Sequence, residues 1–212
     1  MSNHDSTGAS KKLSWLLRHG AGEAGLEMDA AGWAEVDDVR RVLHIGHDAL
    51  EAAVRDNTKA RLERRGTRIR ACQGHSLQGM PVTCDALEAT WEPHEGDAPV
   101  FHGTRVAALQ GIAREGILPG ERTHVHLAEA IDSAVGKRAA VDVMLAVSPA
   151  RLREQGLGLH RSPNGVILTR HVPAACIARL VPVVDRARRQ ERQLRGLFGW
   201  EAEGAPSSTE RA

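Results

Sequence analysis

The chain has 212 residues, with 42% hydrophobic and 26% charged side chains, a balance typical of a globular protein and not of a disordered or fibrous one. Aromatic residues make up only 3% and tyrosine is absent, which disfavours an RNA-binding surface built on stacked aromatic rings. Because the formal net charge is only +1, no global positive field indicates nucleic acid, and any phosphate site must be local.

The first half of the chain carries helical periodicity followed by strand-like alternation. Apolar residues recur at three- and four-residue spacing in three stretches, and a shorter stretch alternates around a Gly-Thr turn. Helices followed by a hairpin favour a winged-helix lobe over residues 10–95, after a disordered tail over residues 1–9. The predicted elements are a helix that starts after Ser10 and stops at Gly20, helices over 34–45 and 48–54, and a hairpin over 61–71.

The second half alternates short strands with few helices, which is typical of an α+β domain. Pro, Gly and carboxylate residues over 91–99 predict a linker before it. We expect this second lobe over residues 96–185, followed by a basic helix and a disordered tail over 186–212. The predicted strands are 100–102, 123–127, 141–147, 165–169 and 177–184, and the predicted helices are 105–115 and 129–138.

Cations gather at two places in the first half of the chain. Arg18 and His19 end the first predicted helix, where they either complement the helix dipole or form an anion site. The stretch from Arg55 to Arg70 holds seven basic residues against two acidic ones, as in a solvated surface or a phosphate site. On the second strand of the predicted hairpin, Arg68 and Arg70 share one face, from which two guanidinium groups could hold a phosphate.

Two predicted strands of the second half carry polar residues that could bind a ligand. His102, Gly103 and Thr104 end one strand, where glycine allows close approach and its neighbours offer hydrogen bonds. His124 and His126 share one face of another strand, a spacing that could bind a metal ion. Since no third ligand has suitable spacing, we expect no metal site.

Other sequence features argue against a secreted or membrane protein. Three widely spaced cysteines form neither a disulfide framework nor a zinc pattern. The polar N-terminus lacks the apolar core of a signal peptide, and no stretch approaches 18 apolar residues. We therefore expect a cytoplasmic protein with no membrane partner, and we take a monomer as the working expectation.

Seven motifs follow one another along the chain: LSWLLRHG (13–20), GLEMDAAGW (25–33), RIRACQGHS (68–76), FHGT (101–104), THVHLA (123–128), VGKR (135–138) and RSPNGVIL (161–168). Taken together and in order, they resemble the NAD-dependent RNA 2′-phosphotransferase family, and the resemblance covers roughly residues 10–182. It implies a winged-helix lobe followed by an ADP-ribosyltransferase-like lobe, with NAD as co-substrate and RNA carrying a 2′-phosphate as partner, as in tRNA splicing.

The resemblance also assigns site residues by position. A catalytic tetrad is implied, and a set of residues is implied for binding NAD. One departure is Cys72, which stands where the family commonly has Asn, so that a thiol replaces an amide. The implied catalytic residues are Arg18, His19, Arg70 and Arg138, and the implied NAD-binding residues are His102, Gly103, Thr104, His124, His126 and Asn164.

The implied reaction gives 2′-hydroxyl RNA, ADP-ribose 1″,2″-cyclic phosphate and nicotinamide, through an RNA-2′-phospho-ADP-ribose intermediate. Two other functions stay open at this point. An ADP-ribosyltransferase acting on terminal phosphates of RNA or DNA would share the first chemical step and stop there. A winged-helix protein that binds nucleic acid without catalysis would share only the first lobe.

Overall fold

The first half of the molecule packs helices against a small antiparallel sheet. The structure is a computed structural model, and it describes residues 3–57, 60–133, 135–136 and 140–200. The sheet has the order β1-β3-β2, and its β2–β3 hairpin pairs Arg65 with Arg68 across the turn. The elements are α1 (Asn3–Trp15), a π-helical turn (Leu16–Gly20), β1 (Ala34–Glu35), α2 (Val36–Leu43), α3 (His47–Arg55), β2 (Leu62–Arg65), β3 (Arg68–Ala71) and α4 (Cys84–Glu88).

The predicted hairpin and the predicted second and third helices are confirmed in this half, with α2 and α3 inside or near their expected bounds. The first helix differs at both ends, because α1 begins at Asn3 and gives way at Leu16 to the π-helical turn. Leu13, Leu16 and Leu17 are buried as their spacing predicts, and they join the core formed with the helices and hairpin. The α+β class is confirmed as a mixed arrangement, while the winged-helix assignment stays a prediction.

The second half contains two further antiparallel sheets. One has the order β10-β7-β5 and the other the order β4-β8-β9-β6. The central strand β7 is fully buried, as its continuous apolar run requires. The elements are β4 (Glu92–Pro93), β5 (Val100–Thr104), α5 (Leu109–Glu115), β6 (Val125–Leu127), β7 (Val143–Val147), α6 (Pro149–Glu154), β8 (His160–Arg161), β9 (Ile167–Thr169), β10 (Ile177–Pro182), α7 (Asp185–Arg189) and α8 (Glu191–Gly196).

Two predictions about this half differ from the structure. Within the expected linker over 91–99, Trp91 is 6% exposed and donates its indole N–H to the Cys72 carbonyl at 3.1 Å, and residues 92–93 form β4, whereas 94–99 are irregular and mostly exposed. The helix expected over 129–138 is absent from the described residues of that range, which form turns and bends. There the Ser133 hydroxyl accepts from the Ala130 N–H, a local bond that competes with helix formation. The basic helix is divided into α7 and α8, and the tail from 201 onward lies outside the described residues.

The two halves are joined by shared core and by hydrogen bonds. Val166 and Leu168, from the second half, belong to the apolar core of the first. Across the halves, Thr123 N–H donates to the His75 carbonyl at 2.9 Å and Leu77 N–H donates to the Glu121 carbonyl at 3.1 Å. Ser76 N–H donates to the Arg18 carbonyl at 2.9 Å, so the loop after β3 contacts both the π-helical turn and the loop before β6. Within the described part of the chain, no helix is both long and apolar enough to cross a membrane.

Candidate active site

A cavity of about 580 Å³ lies where the two halves meet. Its volume is in the range of a site for one small-molecule ligand. The first half contributes the π-helical turn, the residue before β2 and the loop after β3. The second half contributes β5, the loop 118–126 and the turn before β9. The polar residues of the wall include Arg18, His19, Arg61, Gln73, Ser76, His102, Glu121, Arg122, His124, His126 and Asn164.

Three arginines form a cationic wall on this cavity: Arg18, Arg61 and Arg122. The Nε and Nη2 atoms of Arg18 are buried and have no hydrogen-bond partner among the described residues. Burial, reinforced by the charges of Arg61 and Arg122, lowers the pKa of Arg18 to about 10. An unpaired cation crowded by two others is costly, and an anion in the cavity would relieve that cost.

His19 lies beside the cationic wall and is joined to the loop after β3. Its Nδ1 is 2.8 Å from the Ser76 hydroxyl oxygen. Burial lowers the pKa of His19, and the charges of Arg18 and Arg122 lower it further. The imidazole is therefore neutral near pH 7, so it can accept a proton.

The structure does not bring Arg70 to the cavity wall. Its side chain is fully buried and pairs with Glu63, with Nε and Nη2 at 2.8 and 2.7 Å from Oε2. A third nitrogen donates to the Thr90 hydroxyl at 2.7 Å, and the guanidinium lies 4.6 Å from the Trp33 ring centroid. Arg68 shares this face and also lies over the Trp33 ring. Its Nη2 forms an ion pair with Asp29 Oδ2 at 2.5 Å. The face expected to hold phosphate is closed by protein groups.

Arg61 is the arginine of this region that sequence reasoning missed. Every other described arginine between 55 and 70 has a carboxylate partner, whereas Arg61 has none within that part of the structure. These carboxylate partners, some of them from outside the stretch, offset the positive charge that the sequence shows there. The pairs are Arg55–Asp56, Arg64–Glu51, Arg65–Glu63, Arg68–Asp29 and Arg70–Glu63. No local pattern singles out Arg61, because Glu63 lies only two residues away and the choice of its arginine partners is made by the fold.

Histidines form another part of the wall, where hydrogen bonds hold the rings of His102 and His126. His102 Nδ1 lies 3.1 Å from the carbonyl of His126, which fixes the proton on that nitrogen. His126 Nε2 is 2.8 Å from Gln73 Oε1, and its Nδ1 is 3.3 Å from Arg122 Nη1. Burial lowers the pKa of His126 to about 3. No metal-binding group of three such residues occurs within the described ranges.

The comparison with known proteins decides the family. Residues 4–171 match the family model described as RNA 2′-phosphotransferase, Tpt1 / KptA family. The chain belongs to this RNA 2′-phosphotransferase family. A probable RNA 2′-phosphotransferase from Burkholderia lata is 40% identical over 80% of this chain and 89% of its own length. Another from Pseudomonas fluorescens is 36% identical over 81% and 95%, and one from Acaryochloris marina is 36% identical over 78% and 92%.

The cavity gathers most, not all, of the residues predicted for a 2′-phosphotransferase. Arg138 lies outside the described residues. Thr104 is buried and Arg70 is paired elsewhere, and neither contributes to the cavity wall. Cys72, the departure from the family, is buried and directs its thiol to the Ala60 carbonyl at 3.2 Å. The predicted residues that do line the cavity are Arg18, His19, His102, Gly103, His124, His126 and Asn164.

Proposed function

We propose that the protein removes an internal 2′-phosphate from RNA by transferring it to NAD, yielding 2′-hydroxyl RNA, ADP-ribose 1″,2″-cyclic phosphate and nicotinamide. The observation that carries the proposal is the cationic wall with its unpartnered Arg18 donors. A 2′-phosphate is mostly dianionic near neutrality, since its second pKa is about 6. Such a group fits a wall that carries three arginines against one carboxylate, Glu121, among the described residues.

The first step needs positioning more than it needs a base. The RNA 2′-phosphate attacks the anomeric carbon of the nicotinamide ribose, and nicotinamide leaves as a neutral molecule. Because the phosphate is already ionised, the arginines need only hold it in line with that carbon. Arg18 and Arg61 are the proposed phosphate ligands, and Arg61 takes the role that the family resemblance implied for Arg70.

The second step moves the phosphate off the RNA. The adjacent ribose 2″-hydroxyl attacks phosphorus and expels the RNA 2′-oxygen, so a proton leaves one hydroxyl and another is formed. His19 is suited to accept that proton because its imidazole is neutral. The family resemblance assigns Arg138 to the charge that develops on the equatorial phosphate oxygens.

The remaining wall of the cavity supports a site for NAD. Gly103 belongs to the wall, and a Cβ there would lie 2.7 Å from Val141 Cγ2, so β5 can take this position only with glycine. Asn164 and His102 add polar groups, and the cavity volume of about 580 Å³ suits a bound dinucleotide fragment. These groups bind and orient a co-substrate; the reactive bond to nicotinamide is supplied by NAD itself.

The test compares two oligonucleotides of one sequence, one with an internal 2′-phosphate and one with only a terminal phosphate, each incubated with NAD. The proposal predicts nicotinamide release and a cyclic ADP-ribose phosphate with the first alone. A stable ADP-ribosylated end on the second would favour the terminal-phosphate transferase. Failure of either RNA to promote NAD consumption would favour a binding protein without catalysis.

A further inference from the structure

His124 has one ring nitrogen that is buried and without a hydrogen-bond partner among the described residues. The residue precedes β6, lines the cavity and is 1% exposed. Its Nε2 lies 2.9 Å from Glu88 Oε1. Its Nδ1 is buried and has no hydrogen-bond partner in the described part of the chain. His126, two residues on, uses both of its ring nitrogens.

The partner of Nε2 fixes where the proton of His124 resides. Burial lowers the pKa of His124, although Glu88 opposes this, so the ring is neutral near pH 7. An ionised carboxylate can only accept, so the hydrogen bond to Glu88 requires the proton on Nε2. Nδ1 is then a lone pair, which can only accept a hydrogen bond. A buried acceptor left without a donor costs free energy.

Glu88 is itself held in place by an ion-pair network on α4 and the residue after β9. Arg170 donates from Nε to Oε1 at 2.8 Å and from Nη2 to Oε2 at 2.7 Å. Arg170 also pairs with Asp85, which does not contact His124. These bonds keep Glu88 ionised and lower its pKa to about 2. The edge of the Trp91 ring, with its centroid 4.9 Å away, packs against the imidazole.

We infer that Glu88, held by Arg170, is a positioning residue that presents His124 Nδ1 to the cavity as an acceptor for a ribose hydroxyl of the bound substrate. The inference rests on the proposed function, since it names a donor within that same site. Phosphate oxygens are excluded at this position because a dianion has no proton to donate. In this arrangement the arginines of the cavity bind the phosphate, and the neutral Nδ1 of His124 accepts a hydrogen bond from a sugar hydroxyl. That hydroxyl belongs to NAD or to the RNA.

The first test needs no turnover. The ¹⁵N chemical shifts of the His124 ring in the free protein distinguish the two tautomers, and we expect the Nε2–H form. Glu88→Leu removes the acceptor and should yield a mixture of tautomers, whereas Asp85→Asn is the matched control that keeps the bond to His124. A free protein with the proton on Nδ1 would overturn the inference, as would an unchanged tautomer in Glu88→Leu.

The second test identifies the donor by titration followed at the His124 Nδ1 shift. NAD and a 2′-phosphorylated oligonucleotide are added separately, and we expect one of them to shift Nδ1 toward the hydrogen-bonded value. The ligand that does so is the source of the hydroxyl. No shift with either ligand would overturn the inference, whereas absence of products in the wild type would instead refute the proposed function.

A pair of substitutions separates an acceptor from a merely structural histidine. His124→Asn keeps an oxygen near the Nδ1 position, while His124→Gln keeps a donor that reaches Glu88. We expect the KM of the identified substrate to rise about tenfold in His124→Gln, the loss of one hydrogen bond, and less in His124→Asn. kcat should change less than KM in both. Rescue by Gln in preference to Asn, or equal effects, would contradict the inference.

Discussion

Arg61 lies just before β2 and Arg70 lies in β3 of the same hairpin. Arg61 has no carboxylate partner among the described residues, whereas Arg70 is paired with Glu63 and has a structural role. Sequence alternation correctly placed Arg70 on the same face as Arg68. It did not show that Trp33 would cover that face, because Trp33 arrives from tertiary packing, whereas Glu63 is the direct cross-strand partner of Arg70 within the hairpin. Arg61 looked like one more charge in a basic run. Its role depends on the absence of a carboxylate in three dimensions, which no local pattern reports.

Arg61→Ala should weaken capture of the 2′-phosphate without loss of stability. Removing one electrostatic donor from such a site costs about 10²–10³ in rate. Arg55→Ala, in the same basic run and paired with its neighbour Asp56, is the control and should leave the rate unchanged. The measurement is single-turnover dephosphorylation together with a urea unfolding curve. An equal loss of rate in the two variants would mean that the arginines contribute only a general positive potential and that Arg61 is not a specific phosphate ligand.

Arg70→Ala should instead destabilise the fold. The substitution removes the buried partner of Glu63 Oε2 and leaves that carboxylate paired only with the exposed Arg65 at Oε1, which costs about 1–3 kcal/mol. The same change also opens space against Trp33. Urea unfolding should therefore give a much lower midpoint, while substrate affinity of the folded fraction is retained. A variant that is as stable as the wild type but has lost its affinity for the phosphate would show that Arg70 binds the substrate.

Two buried histidines predict that stability falls in mild acid. Burial, with the charges of Arg18 and Arg70, lowers the pKa of His75 to about 3, and His126 is lowered to about 3 as well. Between pH 3 and about 6.5 the unfolded chain binds protons that the folded protein does not. Stability is therefore complete above about pH 6.5 and decreases below it, by about 1.4 kcal/mol per pH unit for each histidine.

His75→Phe provides the variant for this prediction, because both nitrogens of His75 lack partners among the described residues and a phenyl ring has similar volume. Its free energy of unfolding, measured from pH 7 to pH 4, should fall with a slope about 1.4 kcal/mol per pH unit smaller than that of the wild type. An unchanged slope would show that His75 is protonated in the folded state.

At the level of elements, the end of the first helix determines where Arg18 and His19 lie. The apolar spacing of Leu13, Leu16 and Leu17 predicted this helix, and Gly20 predicted its end. The π-helical form of the last turn has no sequence signature here. π turns often occur at functional sites, and this one carries both residues to the cavity. The helix predicted over 129–138 is absent from the described residues of that range, where the Ala130 N–H donates to the Ser133 hydroxyl in a local turn that only the structure reveals.

Gly22→Ala should disturb that helix end. A Cβ atom there would lie 2.3 Å from the Gly79 carbonyl oxygen, and the Gly22 N–H donates to the same oxygen at 3.1 Å. Backbone must move to relieve the contact, at a cost of about 1–3 kcal/mol. Gly46→Ala is the control, because its Cβ would meet nothing within 4 Å. The melting temperature and the affinity for the 2′-phosphorylated RNA should both fall in Gly22→Ala and not in Gly46→Ala. Equal melting temperatures and affinities in the two variants would show that the helix end tolerates a shift.

At the scale of the whole molecule, the site exists only where the two halves meet. Composition and periodicity predicted an α+β chain, and ordered motifs predicted the family. Neither could predict the contacts between the halves, because the composition of residues 91–99 predicted a linker. In the structure Trp91 is buried in the core of the first half and β4 pairs with β8 of the second half, so the start of this segment connects the two halves. The contacts that carry function are therefore mostly distant in sequence, such as His19 with Ser76 and His126 with Gln73.

The most direct test of the account follows the phosphorus atom itself. An oligonucleotide with a ³²P-labelled internal 2′-phosphate is reacted with NAD in a single turnover, and released nicotinamide is measured in parallel. The account predicts that all label leaves the RNA in ADP-ribose 1″,2″-cyclic phosphate, one molecule for each nicotinamide released. Label recovered as inorganic phosphate, or label that stays on the RNA while nicotinamide is released, would contradict it.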